Sequence, residues 1–334
     1  MSDMACAVAQ IDERSDGLSR TLIGQSAVMQ ELRRKIVQLA PRDLAVLVRG
    51  ESGVGKELVA RALHAVSGRS GRLVAFNVAE TPASMFADAM FGHVRGAFTG
   101  ALNSTTGYLA EANRGTIFLD EIGSLHLDGQ NALLRAIEEK EFRPVGGARN
   151  VHSDFRVVAA TNENLGKMVL ERRFRGDLLQ RLTGFVLKIP PLSSRIEDIP
   201  ELVQHILKHD TRWQGAAYLG DHALGVLQRH PWSGNVRELQ QVLGRAVLFS
   251  QSRRLSEEDI SAALDADADA ALLVNAPVVE APGRPTAEHL SQLVRAANGD
   301  IRDVARRLGV SRPTIYRWLS ELELCTLQRR RRRT

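Results

Sequence analysis

Residues 44–66 read LAVLVRGESGVGKELVARALHAV. An apolar run, 44–49, breaks at a glycine-rich turn, and a helical pattern begins at Lys56. The turn, Gly50, Glu51, Ser52, Gly53, Val54, Gly55 and Lys56, has the spacing G-x-x-x-x-G-K. Between a strand and a helix, such a loop turns its backbone N–H groups onto phosphate oxygens, with the helix N-terminus adding partial positive charge. Lys56 then reaches the β- and γ-phosphates. A chance glycine-rich turn would lack the strand before it and the helix after it. Glu57 stands where a Ser or Thr hydroxyl usually touches Mg²⁺, so metal coordination differs there in detail.

The complement lies at TIFLDE, 116–121. A short apolar strand ends in two acids, and parallel α/β sheets bind ligands at that carboxyl edge. Asp120 suits Mg²⁺, directly or through water, and Glu121 suits a general base that polarises the attacking water. Two solvated acids capping a helix are the blander reading, which the phosphate loop disfavours. LVAFNV (73–78) and FRVVAAT (155–161) are further apolar strands, with helical stretches such as 56–66 and 129–142 between them. This alternation predicts a parallel sheet covered on both faces. Residues 196–250 turn helical, and the Ala/Asp/Pro-rich stretch 263–285 reads as part of a linker.

Residues 296–322, AANGDIRDVARRLGVSRPTIYRWLSEL, read as a helix-turn-helix. Gly309 stops one helix, Ser311 caps the next and Pro313 sits in its first turn. Arg312, Thr314, Tyr316 and Arg317 are left to face outward, which suits entry into the major groove of duplex DNA. A helical hairpin for dimerisation is the alternative. Charge favours DNA: residues 281–334 hold 12 Arg, no Lys and 5 acids, a net +7. The whole chain carries +5, so the other 280 residues carry −2 (+5 minus +7). The tail Arg329–Arg333 adds phosphate affinity that falls steeply with salt. Two distant cysteines give no metal motif or disulfide framework, and no apolar run is long enough to span a bilayer. This composition suits a reducing cytoplasm.

Between the phosphate loop and TIFLDE lies GAFTGA, Gly96, Ala97, Phe98, Thr99, Gly100 and Ala101. A large ring between two glycines is either a buried turn or a mobile tip. Around it stand FGHVRGAFTGA (91–101), GTIFLDEIGSL (115–125), FRGDLLQRL (174–182), IPPLSSRIEDIP (189–200) and HPWSGNVREL (230–239). With these motifs in this order, the chain resembles the AAA+ activators of sigma-54-dependent transcription, the bacterial enhancer-binding proteins, over residues 22–250 and 286–322. The resemblance implies an α/β AAA+ P-loop domain with a helical lid subdomain, followed by a small all-α helix-turn-helix domain of Fis type. The expected boundaries are a short segment at 1–20, the α/β subdomain at 21–192, the lid at 193–255, a linker at 256–285, the helix-turn-helix at 286–324 and a basic tail at 325–334.

The resemblance also implies roles. Phe98 and Thr99 form the tip of a loop that touches sigma-54, assisted by a second loop within 142–156. Asn77 hydrogen-bonds the catalytic Glu121; Val78 follows it where the family usually has Cys. Thr161 and Asn162 match sensor I, and Arg237 matches sensor II on the lid. Ile23 and Gly24 match the segment beside the adenine. Arg175 and Arg181 match the pair that points at a neighbour's nucleotide, one of them an arginine finger. Ser193 and Ser194 precede Arg195 where the family usually reads Arg-Glu-Arg. The implied cofactors are ATP and Mg²⁺. The implied partners are sigma-54 RNA polymerase holoenzyme, upstream enhancer DNA and further copies of the chain in a hexameric ring. Residues 1–20 are too short for the sensory domain most members carry, so control falls to a trans-acting regulator or a related co-subunit. The rival function is a DNA-binding repressor or scaffold whose AAA+ domain only assembles; intact GAFTGA, Lys56, Asp120 and Glu121 argue against it.

Overall fold

The computed structural model describes residues 17–209, 218–220, 222–250 and 252–275, with five further positions beyond. The expected helix-turn-helix, with Arg312, Thr314, Tyr316 and Arg317, and the basic tail lie outside the described residues, as does 1–16. Described residues up to Leu264 belong to one compact unit, and those from Asp265 onward to a second.

In chain order the strands are β1 (Val46–Arg49), β2 (Leu73–Asn77), β3 (Gly92–His93), β4 (Thr105–Thr106), β5 (Thr116–Asp120), β6 (Glu141–Phe142), β7 (Val151–His152), β8 (Arg156–Thr161), β9 (Phe185–Lys188), β10 (Tyr218–Leu219) and β11 (Arg254–Leu255). Among the described residues five of them form one sheet in the order β2-β5-β8-β1-β9, all neighbours parallel. Each strand is short and apolar because both faces are covered. Ile117 and Leu119 of β5 enter one core cluster and Phe118 the other; Val157 and Ala159 of β8 oppose Val158 and Ala160 in the same way. Strand periodicity of two makes this division automatic. One face is covered by helices Ala27–Leu39 and Lys56–Ala65, the other by Ala83–Phe91, Leu127–Glu139, Leu165–Leu170 and Gly176–Leu182.

The register aligns the carboxyl ends. Arg49 pairs with Thr161 and with Lys188, and Asn77 pairs with Asp120. The phosphate loop, Asn77, Asp120, Glu121 and Asn162 therefore leave one edge of the sheet together.

Two antiparallel hairpins interrupt the helical layer. β3 and β4 carry the GAFTGA loop between helix Ala83–Phe91 and the short helix Tyr108–Glu111. β6 and β7 form the second. The expected helix 129–142 instead runs Leu127–Glu139 and ends at Lys140, whose positive φ lets Glu141–Phe142 turn into β6. Lys140 Nζ donates to the Phe155 carbonyl, which fixes that turn.

After Leu192 a separate core forms around Trp232, Leu239, Leu243 and Leu227 from helices Ile199–His209, Ala223–Arg229 and Asn235–Phe249. This region is not wholly helical, since β10 and β11 pair in parallel. The expected linker at 256–285 is corrected at its start by a helix over Glu257–Asn275. Ser256 and Asp259 close a reciprocal capping box: Asp259 N donates to Ser256 Oγ at 3.1 Å, and Ser256 N to Asp259 Oδ2 at 2.8 Å. Ile260 and Ala263 then enter the second core. Three acids in the first turn suit the helix dipole, and Ala and Leu favour the conformation.

Arg156 ties the sheet to the helix Ala27–Leu39. It is buried, and donates to the carbonyls of Leu39, Ala40 and Leu44 at 3.1, 2.6 and 3.1 Å. Desolvation lowers its pKa, but the Leu39 and Ala40 carbonyls at the helix C-terminus, with that of Leu44, hold the cation in place. Arg156→Ala is expected to lower unfolding free energy by about 3 kcal/mol, because buried acceptors lose charged donors. Chemical denaturation measures this; a loss within about 0.5 kcal/mol, typical of a surface substitution, would contradict the role.

Candidate active site

A cleft lies between the sheet edge and the helical lid. Ser52 to Val59, Asp120, Glu121, Val236, Arg237 and Gln240 line one part of it. Leu22, Ile23, Met29, Leu32, Ile189, Arg195 and Leu202 line the rest. One end is thus polar and built for phosphate, and the other is mostly apolar.

At the polar end Lys56 is only 7% exposed. Its Nζ donates to Glu121 Oε1 at 3.1 Å and to the Gly50 carbonyl at 3.4 Å. Glu121 has φ +49, a left-handed conformation costly for a non-glycine residue, which turns the chain at the end of β5. Glu121 N donates to Asp120 Oδ1 at 3.0 Å. Burial pushes the Asp120 carboxyl above its ordinary pKa, and the Glu121 charge adds to this; the Glu121 N–H and Lys56 oppose it. A half-buried carboxylate at a phosphate loop is the hard oxygen donor that Mg²⁺ takes alongside phosphate oxygens. No cluster of three or more metal-ligating side chains occurs among the described residues. Glu57 lines the cleft, but its carboxylate pairs with Arg61 at 2.6 Å.

The lid closes directly on the phosphate loop. A Cβ on Gly53 would lie 2.3 Å from the Gly234 carbonyl oxygen and 2.9 Å from Arg237 Cβ, and φ is +77 there. Arg237 N donates to the Gly53 carbonyl at 3.3 Å, and its Nη1 to Ser52 Oγ at 3.2 Å. The buried Asn235 was not singled out from sequence. Its Nδ2 donates to Glu51 Oε2 at 3.0 Å and to the Ser52 carbonyl at 3.1 Å, while its Oδ1 accepts from Leu192 N at 2.7 Å. Glu51 thus faces the lid, away from the cleft. The available signal was Gly234-Asn235 ahead of a helix, a turn pair whose long-range partners sequence does not display.

Of the other expected residues, Ile23 lines the cleft but Gly24 does not. Gly24 instead lies against Asp198, whose carboxylate accepts from Ser26 N and Oγ at 2.7 and 2.6 Å. The expected Asn77–Glu121 hydrogen bond is not formed. Asn77 Nδ2 donates to Glu80 Oε1 at 2.7 Å and its Oδ1 accepts from Ala79 N, a local turn that competes for the amide. Thr161 is buried and Asn162 exposed beside β8; neither lines the cleft.

Arg175 and Arg181 also lie away from the cleft of their own chain. Arg175 forms a fork with Asp177 at 3.0 and 2.6 Å and also donates to Asn131. That fork holds the Asp177 carboxyl down at about 2. Arg181 is held by one contact, Nε to Glu138 at 2.7 Å, and is 60% exposed.

Phe98 is 47% exposed. Its ring meets His93 edge-on at 5.0 Å between centroids, and His93 in turn pairs with Asp88. Val94 N donates to the Val145 carbonyl at 3.1 Å and Val145 N to the Gly92 carbonyl at 2.8 Å, so the second hairpin braces the base of the GAFTGA loop.

A parallel sheet with a phosphate loop, a carboxylate pair and a helical lid defines an AAA+ P-loop domain. Residues 22–188 match the Sigma-54 interaction domain, and residues 193–274 the AAA+ ATPase lid domain. The chain belongs to the sigma-54 interaction domain family. It is 39% identical over 285 residues to the DNA-binding transcriptional regulator NtrC of Rhizobium meliloti, covering 85% of this chain and 57% of that protein. It is also 39% identical over 311 residues to the transcriptional regulatory protein ZraR of Klebsiella oxytoca, covering 90% and 68%. The chain spans about half the length of several of these relatives. NtrX from Brucella abortus, solved in complex with ATP, superposes with a TM-score of 0.66 at 31% identity, over 90% of this chain and 69% of that one. The lid match ends near the end of helix Glu257–Asn275, not at the expected residue 255. No helix among the described residues is long and apolar enough to cross a membrane.

The raised pKa of Asp120 has a sign that can be tested. Burial penalises the charged form, so this group's cost to the fold sets in as pH rises through its raised pKa and is complete at neutral pH. Asp120→Asn is expected to melt above the native chain at pH 7–8, and the gap should close as pH falls below the usual carboxylate value. Melting curves across pH read this; a gap that does not change with pH would remove the argument.

Proposed function

We propose that this chain is an ATP-hydrolysing transcription activator that remodels the closed complex of sigma-54 RNA polymerase. One observation carries the reading: a P-loop cleft with Lys56, Asp120 and Glu121 shares its domain with a braced, exposed GAFTGA loop. The family resemblance supports ATP as the nucleotide.

Lys56 exchanges its Glu121 partner for phosphate oxygens, and the released Glu121 carboxylate polarises the attacking water. Asn77, opposite Asp120 in the register, leaves Glu80 to hold that carboxylate. Asp120 would hold Mg²⁺, which when bound would supply positive charge beside the transferred phosphoryl. Arg237 engages the phosphates from the lid, and Asn162 reads the γ-phosphate from β8. Since Arg175 and Arg181 lie outside their own cleft, they serve a neighbouring subunit, and hydrolysis depends on a ring, hexameric as in the family. The C-terminal residues Arg312, Thr314, Tyr316 and Arg317 bind upstream duplex DNA. The Phe98 loops meet sigma-54, and the cycle of hydrolysis drives promoter opening.

Phe98→Ala is expected to keep ATP hydrolysis within about twofold of the native rate while abolishing transcription from a reconstituted sigma-54 promoter; normal activation by this variant would overturn the role of the loop. The trans placement has its own measurement. Mixing Lys56→Ala chains with Arg175→Ala or Arg181→Ala chains should restore part of the hydrolysis that each lacks alone. An arginine acting within its own subunit would give no such restoration.

A further inference from the structure

Arg195 is the least satisfied charged group among the described residues. It is 2% exposed and lines the mostly apolar end of the cleft. Its Nε and Nη2 have no hydrogen-bond acceptor. Its Nη1 donates only to the thioether of Met29, at 3.0 Å. Asp198 lies close enough to favour the charge, but its two oxygens accept from Ser26 N and Oγ. Burial lowers the pKa of Arg195 without neutralising it. A guanidinium has five donors, and leaving them unmade in a buried site is costly. A thioether is a weak acceptor on a flexible side chain and yields readily to a stronger one.

The position of Arg195 decides what that acceptor is. With the triphosphate held by Gly53 to Lys56, the nucleoside is left the rest of the same cleft, which Ile23, Met29, Leu32, Ile189 and Arg195 line. Ring nitrogens and ribose oxygens are the acceptors that a nucleoside brings. We propose that Arg195 is a nucleotide-binding residue that exchanges the Met29 thioether for acceptors of the nucleoside half, sealing the lid onto the bound base. Arg195 opens the lid, one residue past Ser194, and Met29 belongs to the sheet-covering helix, so the exchange is made where the two subdomains meet. This rests on the cleft being a nucleotide site.

The test compares ADP with inorganic tripolyphosphate by titration calorimetry on the full chain. Arg195→Met keeps the volume but removes the donors. It is expected to weaken ADP binding roughly 10- to 100-fold and to leave tripolyphosphate binding unchanged. Its melting temperature without nucleotide should hold or rise, because an unpaired buried charge is gone. Arg195→Lys, a second variant that keeps the charge without the fork, should bind ADP with intermediate affinity. Unchanged ADP affinity, an equal loss for both ligands, or a lower melting temperature with intact ADP binding would overturn the proposal. A native chain that binds neither ligand would overturn the nucleotide reading itself. Native binding that ignores residue 195 would overturn only this inference.

Discussion

Everything in the site depends on the register of β1 between its two neighbours. Val46 to Arg49 pair residue for residue with Val158 to Thr161 on one side and Phe185 to Lys188 on the other. The phosphate loop can leave the sheet only where β1 ends. Asp120 leaves two strands away, beyond β8, and Asn77 one strand beyond that. A one-residue slip of β1 would invert which side chains face each core layer and carry the phosphate loop out of line with Asp120. Burial of Leu47 on one face and of Val46 and Val48 on the other makes that slip costly.

The lid adds a second constraint of a different kind. Its contact with the phosphate loop is polar and close: the Gly234 carbonyl, the Asn235 amide and Arg237 all meet Glu51, Ser52 or Gly53. Hydrogen bonds of this sort contribute about 1 kcal/mol each, far less than the apolar packing inside either subdomain. Such a contact can break and re-form without unfolding its neighbours. The same holds for Lys56 and Glu121, an ion pair of which the Glu121 side is partly exposed. The two subdomains are firm inside, and the cleft between them is held by interactions that a nucleotide can replace.

How much of this was legible in sequence follows from the range of each interaction. The phosphate loop, TIFLD and FRVVAAT were readable because their meaning lies in adjacent residues and in an apolar pattern that both-sided burial produces. Asn235 was not, since its partners Glu51 and Ser52 lie more than 180 residues away. Arg195 was weighed only as the remaining arginine of an altered motif, because charged residues are exposed by default and nothing local marks this one as buried. The stretch after Ser256 was read as linker because Ala and Asp alternate without an amphipathic period. The Ser256–Asp259 capping box was nonetheless visible as S-E-E-D and would have marked a helix start. Asn77 is a different case. Its local turn with Glu80, the bland reading of an Asn at a strand end, is the one the structure forms.

That local turn bears on how the site and the loop are joined. Asn77 ends β2, shapes the turn through Ala79 and Thr81, and is followed by the helix Ala83–Phe91 that delivers the GAFTGA hairpin. At the base of the hairpin the backbones nearly touch: a Cβ on Gly107 would lie 2.3 Å from Gly92 N. At its tip, Gly96 and Gly100 have φ of +83 and +100 with nothing within 4 Å of a Cβ. A rigid base transmits whatever the helix does, while an open tip is free to choose its own backbone conformation. If Asn77 turns from Glu80 to Glu121, the first element to lose its anchor is the turn that starts this helix. The question raised by a large ring between two glycines thus has a mechanical answer. Phe98 is held out on a pivot whose footing is one turn of chain from Asp120 and Glu121.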